Sequence, residues 1–270
     1  MSPVLICGLP RSGSTLLACL LNQNPDFFAS GPSPVAQYIN NFIDTLSAHA
    51  EAKHLTSNQQ IHSIISALFQ GYHNNTISDN THLIFDTNRN WPRFADLLVE
   101  VFPNIRFIIC VRNIQDIALS LERIRQGSQL KATRFFRSGT TLEERIDQSI
   151  SAKGIIGGAI SATRDLMEGP HSDRAIVMDY DFLVTTPICA FTNLYKSLRL
   201  NDFDHDFENF KTSFEYFDNF LDAPNLHTVE GPLVRRAPDG SLPPRIYKKL
   251  DPLNKLIFKC SSESIWLDKV

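Results

Sequence analysis

The feature that most constrains this chain is its start, where a short apolar run leads into a turn bracketed by two glycines. Val4 to Gly8 reads as a buried strand, and a helix is predicted from Ser12 to about Leu21. A strand, a tight loop and a helix in this order present free backbone N–H groups to an anion. The segment therefore predicts a P-loop-like phosphate-binding loop in an α/β fold.

The residues inside the loop narrow the chemistry. Gly8 and Gly13 have the spacing of the nucleotide motif G-x-x-x-x-G-K-[ST], but Ser14 occupies the lysine position and Arg11 supplies the cation. The motif lysine contacts the β- and γ-phosphates of a nucleoside triphosphate. Its absence argues against an ordinary ATPase or kinase, and a divergent P-loop kinase or NTPase is kept as an alternative.

Strand and helix patterns alternate along the rest of the chain. Further strands are predicted at 27–29, 83–85, 105–111 and 175–178, and helices at about 35–50, 57–72, 92–102 and 142–167, with another from about 114. Loops are predicted from about 212 to 247. Such alternation is typical of a parallel sheet covered on both faces. We predict a three-layer α/β sandwich with a central parallel sheet, forming one domain over residues 1–270.

The composition gives little information about binding partners. The 270 residues carry a formal net charge of −3, which gives no electrostatic reason to expect nucleic acid binding. No apolar run approaches the length of a membrane span, and the five cysteines show no metal-ligand spacing. We expect a cytoplasmic protein without a metal site.

Polar residues follow several of the predicted strands, where ligands of parallel sheets bind. Arg112 follows the strongest strand and precedes Ser120 by eight residues. Because a guanidinium suits phosphate, these two residues predict a second phosphate site. An ion pair between Arg112 and Asp116 or Asp181 is the alternative. Two phosphate sites on neighbouring strands imply a nucleotide with phosphates at both ends of its nucleoside.

Three segments together resemble a known family. The N-terminal Gly-x-Pro-Arg-Ser-Gly-Ser-Thr, the segment 111–120 and the segment 179–187 are similar, in family order, to the 5′-phosphosulfate loop, the 3′-phosphate motif and the Tyr-x-x-Leu element of PAPS-dependent sulfotransferases. The resemblance implies sulfuryl transfer from 3′-phosphoadenosine 5′-phosphosulfate (PAPS) to an acceptor hydroxyl or amine without a metal. Arg11 and the turn at 24–26 favour the tyrosylprotein-type and related bacterial branch.

The resemblance also implies site residues. Arg11 is expected to stabilise the leaving oxygen, and Tyr180 to contact the nucleotide or else to pack at the strand end. The residues expected to bind PAPS are Pro10, Arg11, Ser12, Gly13, Ser14, Thr15, Arg112, Ser120, Tyr180, Arg235 and Arg236. The last two lie in a basic segment loosely similar to the loop that closes over the nucleotide, and a basic surface turn is the alternative.

The general base is not evident. The glutamate of tyrosylprotein-type relatives is absent from 30–34, and Asp86-Thr87-Asn88 replaces the Lys-Thr-His of cytosolic relatives. Asp86 is the candidate base, with a cap or a partner for Arg89 as the alternative. The histidines His205 and His227 are expected on the surface.

Because the chain lacks the glutamate, lysine and histidine of these relatives, the alternative is a non-catalytic module that binds PAPS or its product PAP. Segments near 31–75, 125–145 and 210–245 are expected to line the acceptor pocket. The sequence specifies neither the acceptor nor the oligomeric state.

Overall fold

The fold is built on a six-stranded sheet in which every neighbouring pair is parallel. The computed structural model describes residues 2–74, 81–128, 140–235, 240–259 and 264–270. The strand order is β2-β3-β1-β4-β5-β8, and β6 and β7 form a separate antiparallel pair. The strands are β1 Val4–Gly8, β2 Phe27–Pro32, β3 Leu83–Thr87, β4 Arg106–Val111, β5 Ala175–Asp179, β6 Lys211–Thr212, β7 Val229–Glu230 and β8 Ile265–Trp266.

Helices cover both faces of this sheet. The alternation of side chains along β1 sends Val4 and Ile6 into one apolar cluster and Leu5 and Cys7 into the other. The first cluster packs against α1 Ser14–Leu21, α9 Tyr180–Thr185 and α10 Pro187–Leu198. The second packs against α2 Val35–Ala48, α4 Asn58–His73, α5 Ala95–Val101, α6 Ile114–Gly127, α7 Leu142–Ile150, α8 Gly157–Glu168 and α12 Pro244–Phe258. The predicted three-layer fold is confirmed.

Two further helices of the described residues are short: α3 Ala50–Leu55 and α11 Glu215–Phe220. None of the helices in the described parts of the chain combines the length and apolar character needed to cross a bilayer.

Several predicted boundaries are wrong. The helix predicted over 142–167 is broken between α7 and α8, because the chain turns back on itself there. A Cβ on Gly154 or Gly157 would lie 2.2 Å from the carbonyl oxygen of Gln148 or Ile150, respectively. The first helix begins at Ser14 rather than Ser12, and the loops predicted over 212–247 contain β6, α11, β7 and the start of α12.

Gly8 ends β1 in a conformation that other residues rarely adopt, with φ of 114°. A Cβ at this position would lie 2.2 Å from the carbonyl oxygen of Cys110.

We expect Gly8→Ala to lower the free energy of unfolding by about 2–4 kcal/mol, measured by urea denaturation. Gly71, inside α4, is the matched control, because a Cβ there meets nothing within 4 Å. Gly71→Ala should raise the free energy of unfolding by up to about 1 kcal/mol. Equal effects of the two substitutions would contradict this account.

Candidate functional site

A cavity of about 540 Å³ opens at the carboxyl ends of β1, β3 and β4. This size is within the roughly 300–1,000 Å³ of small-molecule sites, and the place is where parallel sheets bind ligands. The loop after β1, the residues after β3 and Arg112 after β4 line it, together with parts of the segments 153–162 and 217–229.

The phosphate loop predicted from the sequence forms one wall of the cavity. Gly13 stands at the cap of α1 with φ of 92°, and no described side chain caps this helix terminus. The Ser12 hydroxyl donates to the Leu9 carbonyl at 2.5 Å, so it holds the loop together from within. Pro10, Arg11, Gly13, Ser14 and Thr15 line the cavity. The loop therefore offers the first-turn N–H groups of α1 and two hydroxyls to an anion.

Arg11 connects this loop to two distant parts of the chain. Its Nε donates to Ser120 Oγ at 3.0 Å, and its Nη1 donates to the Leu226 carbonyl. Its φ of 57° is left-handed, a conformation that is uncommon for a residue other than glycine. Such strain is found where the surrounding structure fixes a residue for a functional purpose.

Arg112 lies beside Arg11 and has an unsatisfied donor. Its Nη1 donates to the Arg11 carbonyl at 3.1 Å, and its guanidinium carbon lies 4.0 Å from the centroid of the Tyr180 ring. Its Nε is buried and has no hydrogen-bond partner in the described structure. A buried donor left without a partner costs about 1–3 kcal/mol, so the position is suited to a ligand acceptor. Tyr180 packs against Gly13 as well as Arg112, and it lines the cavity.

The two guanidiniums repel each other. Burial, and then the charge of Arg112, lower the pKa of Arg11 to about 10, so Arg11 remains a cation at neutral pH. Within the described ranges neither forms an ion pair with a carboxylate, which disfavours the ion pair considered above for Arg112. An anion between them would relieve the repulsion.

Two further predicted residues lie near this pair without lining the cavity. Ser120 on α6 accepts the hydrogen bond from Arg11 and retains its own proton to donate. Arg235 is exposed and forms a two-fold contact with Asp181, at 3.0 and 3.2 Å. Arg236 lies outside the described residues.

Asp86 is placed away from the cavity. Its side chain is fully buried, accepting from Trp91 Nε1 at 2.9 Å and lying 2.8 Å from His73 Nε2. These buried contacts favour a structural role for Asp86. That role differs from the general base, and also from the cap or the partner of Arg89 that the sequence left as alternatives.

A histidine that the sequence placed on the surface lies at the cavity instead. The His227 Nδ1 is 2.6 Å from Oδ1 of the buried Asp218, and the His227 backbone N–H donates to Oδ2 at 2.9 Å. With Nδ1 donating to the carboxylate, Nε2 is left as the proton acceptor. Burial lowers the pKa of His227, and the charges of Arg11 and Arg89 lower it further while Asp218 raises it.

The pair could not be recognised in the sequence, because its members lie nine positions apart and no motif spans them. His205 was also expected on the surface and is buried, 3.0 Å from the Tyr195 hydroxyl, with its pKa lowered to about 4 by burial. It does not line the cavity.

Comparisons with known proteins agree with the resemblance. The model of the sulfotransferase family matches residues 3–205, and no curated protein matches the chain. A sulfotransferase from Alicyclobacillus acidocaldarius is 13% identical, with 95% of this chain and 94% of that chain covered and a TM-score of 0.53. The mouse sulfotransferase SULT7A1 complexed with PAP is 12% identical, with 96% and 86% covered and a TM-score of 0.56. At these identities the two structures show a shared fold.

The surroundings of Asp86 lead to a stability prediction. Asp86→Asn should lower the free energy of unfolding by about 1–3 kcal/mol, because the amide cannot accept from both buried partners as the carboxylate does. Asp96→Asn is the matched control, since Asp96 is exposed and contacts His171 at 3.0 Å on the surface. Denaturation curves that place both variants at the wild-type midpoint would contradict the structural role.

Proposed function

Because the chain belongs to the sulfotransferase family, we propose that its cavity binds PAPS and that the residues described above carry out the transfer. The enzyme is a sulfotransferase. The observation that carries the site assignment is the convergence of Arg11 and Arg112, neither paired with a carboxylate in the described structure, at the uncapped start of α1.

The residues present fit the two ends of this donor. The backbone N–H groups of 12–15 and the hydroxyls of Ser14 and Thr15 would hold the 5′-phosphate. The unsatisfied Nε of Arg112 and the hydroxyl of Ser120 would hold the 3′-phosphate. Tyr180 supports the Arg112 guanidinium and lines the cavity, where it would contact the nucleotide. Arg235 would also contact the 3′-phosphate once its hydrogen bonds to Asp181 break.

The donor supplies an activated sulfuryl group. In the transfer, the bond from sulfur to the 5′-phosphate oxygen breaks, and a bond from sulfur to the acceptor oxygen or nitrogen forms. The electron pair of the broken bond stays on the phosphate oxygen, where negative charge develops. Arg11 would stabilise that oxygen, and two observations support this role: it lies in the phosphate loop, and its guanidinium is fixed by Ser120 and Leu226.

His227 is the base that we assign in place of Asp86. It lines the cavity, and its Nδ1 is fixed by Asp218, so Nε2 can take the proton that leaves the acceptor. The lowered pKa keeps the imidazole neutral at physiological pH, which a proton acceptor requires.

The competing functions have less support. The position of Ser14 at the motif lysine disfavours a kinase or NTPase, as the sequence indicated. A module that only binds PAPS would have no need of a buried carboxylate that orients a histidine into the cavity. The metal-free reaction, the cytoplasmic location, the single domain over 1–270 and the tyrosylprotein-type or bacterial branch stay predictions.

Donor binding can be tested by calorimetric titration with PAP. Arg112→Ala should weaken binding about thirtyfold, because it removes a charged donor of a phosphate. Arg164→Ala is the control, since Arg164 pairs with Glu168 on the exposed side of α8. Absence of PAP binding by the wild type would contradict the proposed function, and equal affinities of the two variants would contradict the role of Arg112.

The base can be tested with radiolabelled PAPS and a panel of acceptors. His227→Gln should reduce the transfer rate by about 10²–10⁴ and leave PAP affinity unchanged. His54→Gln, an exposed position on α3, is the control.

The pH profile separates a base from a structural histidine. Since the base must be neutral, kcat/KM should fall as the pH drops through the His227 pKa, which lies below its usual value. Asp218→Asn removes a negative charge that raises this pKa, so the acidic limb should move to lower pH while the maximal rate falls. An unchanged profile in Asp218→Asn would show that the pair does not act in proton transfer.

A further inference from the structure

The charged lining of the cavity is entirely positive. Arg11, Arg89, Arg93, Arg112 and Lys153 line it, and no aspartate or glutamate does so in the described structure. The whole chain has more acidic than basic residues, 29 against 26. A wall of five cations without an acid is therefore a local feature that the composition does not explain.

The proposed donor site accounts for only two of these cations. Arg89, Arg93 and Lys153 come from elements that take no part in it. Arg89 follows β3, Arg93 lies in the 3₁₀ turn Trp91–Phe94, and Lys153 lies in the break between α7 and α8. In the strand order, β3 lies on one side of β1 and β4 on the other. Arg89, at the end of β3, therefore lies on the side of β1 opposite Arg112, Arg93 follows it in the next turn, and Lys153 lines the same cavity.

The described part of the chain does not neutralise these three residues. Within it, Arg93 donates a long hydrogen bond to the Gly158 carbonyl, at 3.4 Å. Among the described residues, no carboxylate lies within ion-pair distance of Arg89, Arg93 or Lys153. The three side chains are exposed at the cavity wall, so a ligand can reach them, and their combined positive potential attracts an anion.

The proposed base, His227, lines the same cavity as Arg89. Burial lowers the pKa of His227, and the charges of Arg11 and Arg89 lower it further. An acceptor bound by Arg89 in this cavity would have its nucleophile in the space that His227 also lines. Apolar groups of Ile155, Phe217 and Leu221 line the cavity too and can pack against the body of such a molecule.

We propose that the acceptor is a small molecule with a hydroxyl or amine and an anionic group, a carboxylate or a phosphate, and that Arg89, Arg93 and Lys153 bind that anionic group. This inference rests on the proposed function, because it assigns Arg11 and Arg112 to the donor. It identifies the class of acceptor that the sequence left open.

The test compares acceptors in matched pairs, each an acid and its neutral amide, such as 4-hydroxyphenylacetate and 4-hydroxyphenylacetamide, together with glycerol phosphate and glycerol. Binding is measured by calorimetry on the full chain saturated with PAP. For at least one pair, the anion should bind about tenfold or more tightly than its neutral counterpart. A panel in which no anion binds more tightly than its neutral counterpart overturns the proposal. Preference for glycerol phosphate over the carboxylates would identify phosphate as the anion.

A double variant identifies the residues responsible. Arg89→Gln with Lys153→Gln should reduce the preference for the anion to about twofold or less, with PAP affinity unchanged. A control variant, Lys248→Gln with Lys259→Gln, removes the same charge from α12 and its end, away from the cavity lining, and should keep the preference. A double variant that loses PAP affinity instead would assign these cations to the donor and overturn the proposal. Failure of PAP to bind the wild type would overturn the proposed function itself.

Discussion

The rest of the site depends on the mutual repulsion of two guanidiniums held side by side. Arg112 donates to the backbone carbonyl of Arg11, so the second phosphate-binding residue is positioned by the first. Neither has a carboxylate partner in the described structure, and one buried N–H of Arg112 has no acceptor. Folding the protein around such a pair costs free energy, which an anionic ligand can return when it binds. The fold tolerates this cost because β1 is buried along its whole length, β4 is buried from Phe107 to Val111, and the two strands are paired with each other.

Arg11 also links the donor subsite to the base. Its guanidinium donates to the carbonyl of Leu226, the residue before His227. His227 lies in the segment 221–228, which connects the short helix α11 to the two-residue strand β7, so the segment has little regular structure of its own to fix it. The contacts from Arg11, and from Asp218 to both the backbone and the ring of His227, supply that restraint. The group expected to stabilise the leaving oxygen and the group expected to take the acceptor proton are thus held by one connected set of hydrogen bonds.

The sequence predicts well those elements whose structure depends on residues that are close together in the chain. The run from Val4 to Leu21 and the strand before Arg112 were recognisable because a buried parallel strand followed by a glycine turn has its own pattern. The break between α7 and α8 was missed because the tight reversal at Gly154 depends on the carbonyls of α7, which helical periodicity does not report. The buried contacts of Asp86 could not be predicted for a different reason: the sequence shows where a strand ends but not which face its last side chains take. His227 could be identified only once folding had placed Asp218 beside it.

The cations of the cavity have a second consequence, for the strength of the base. Burial lowers the pKa of His227, and the charges of Arg11 and Arg89 lower it further, which weakens the imidazole as a proton acceptor. Negative charge favours the protonated form of a neighbouring imidazole. Anions bound to these arginines would therefore raise the pKa of His227 and strengthen it as a base when both substrates are in place. The same charges that bind the substrates would then adjust the proton affinity of the group that acts on them, without any movement of the backbone.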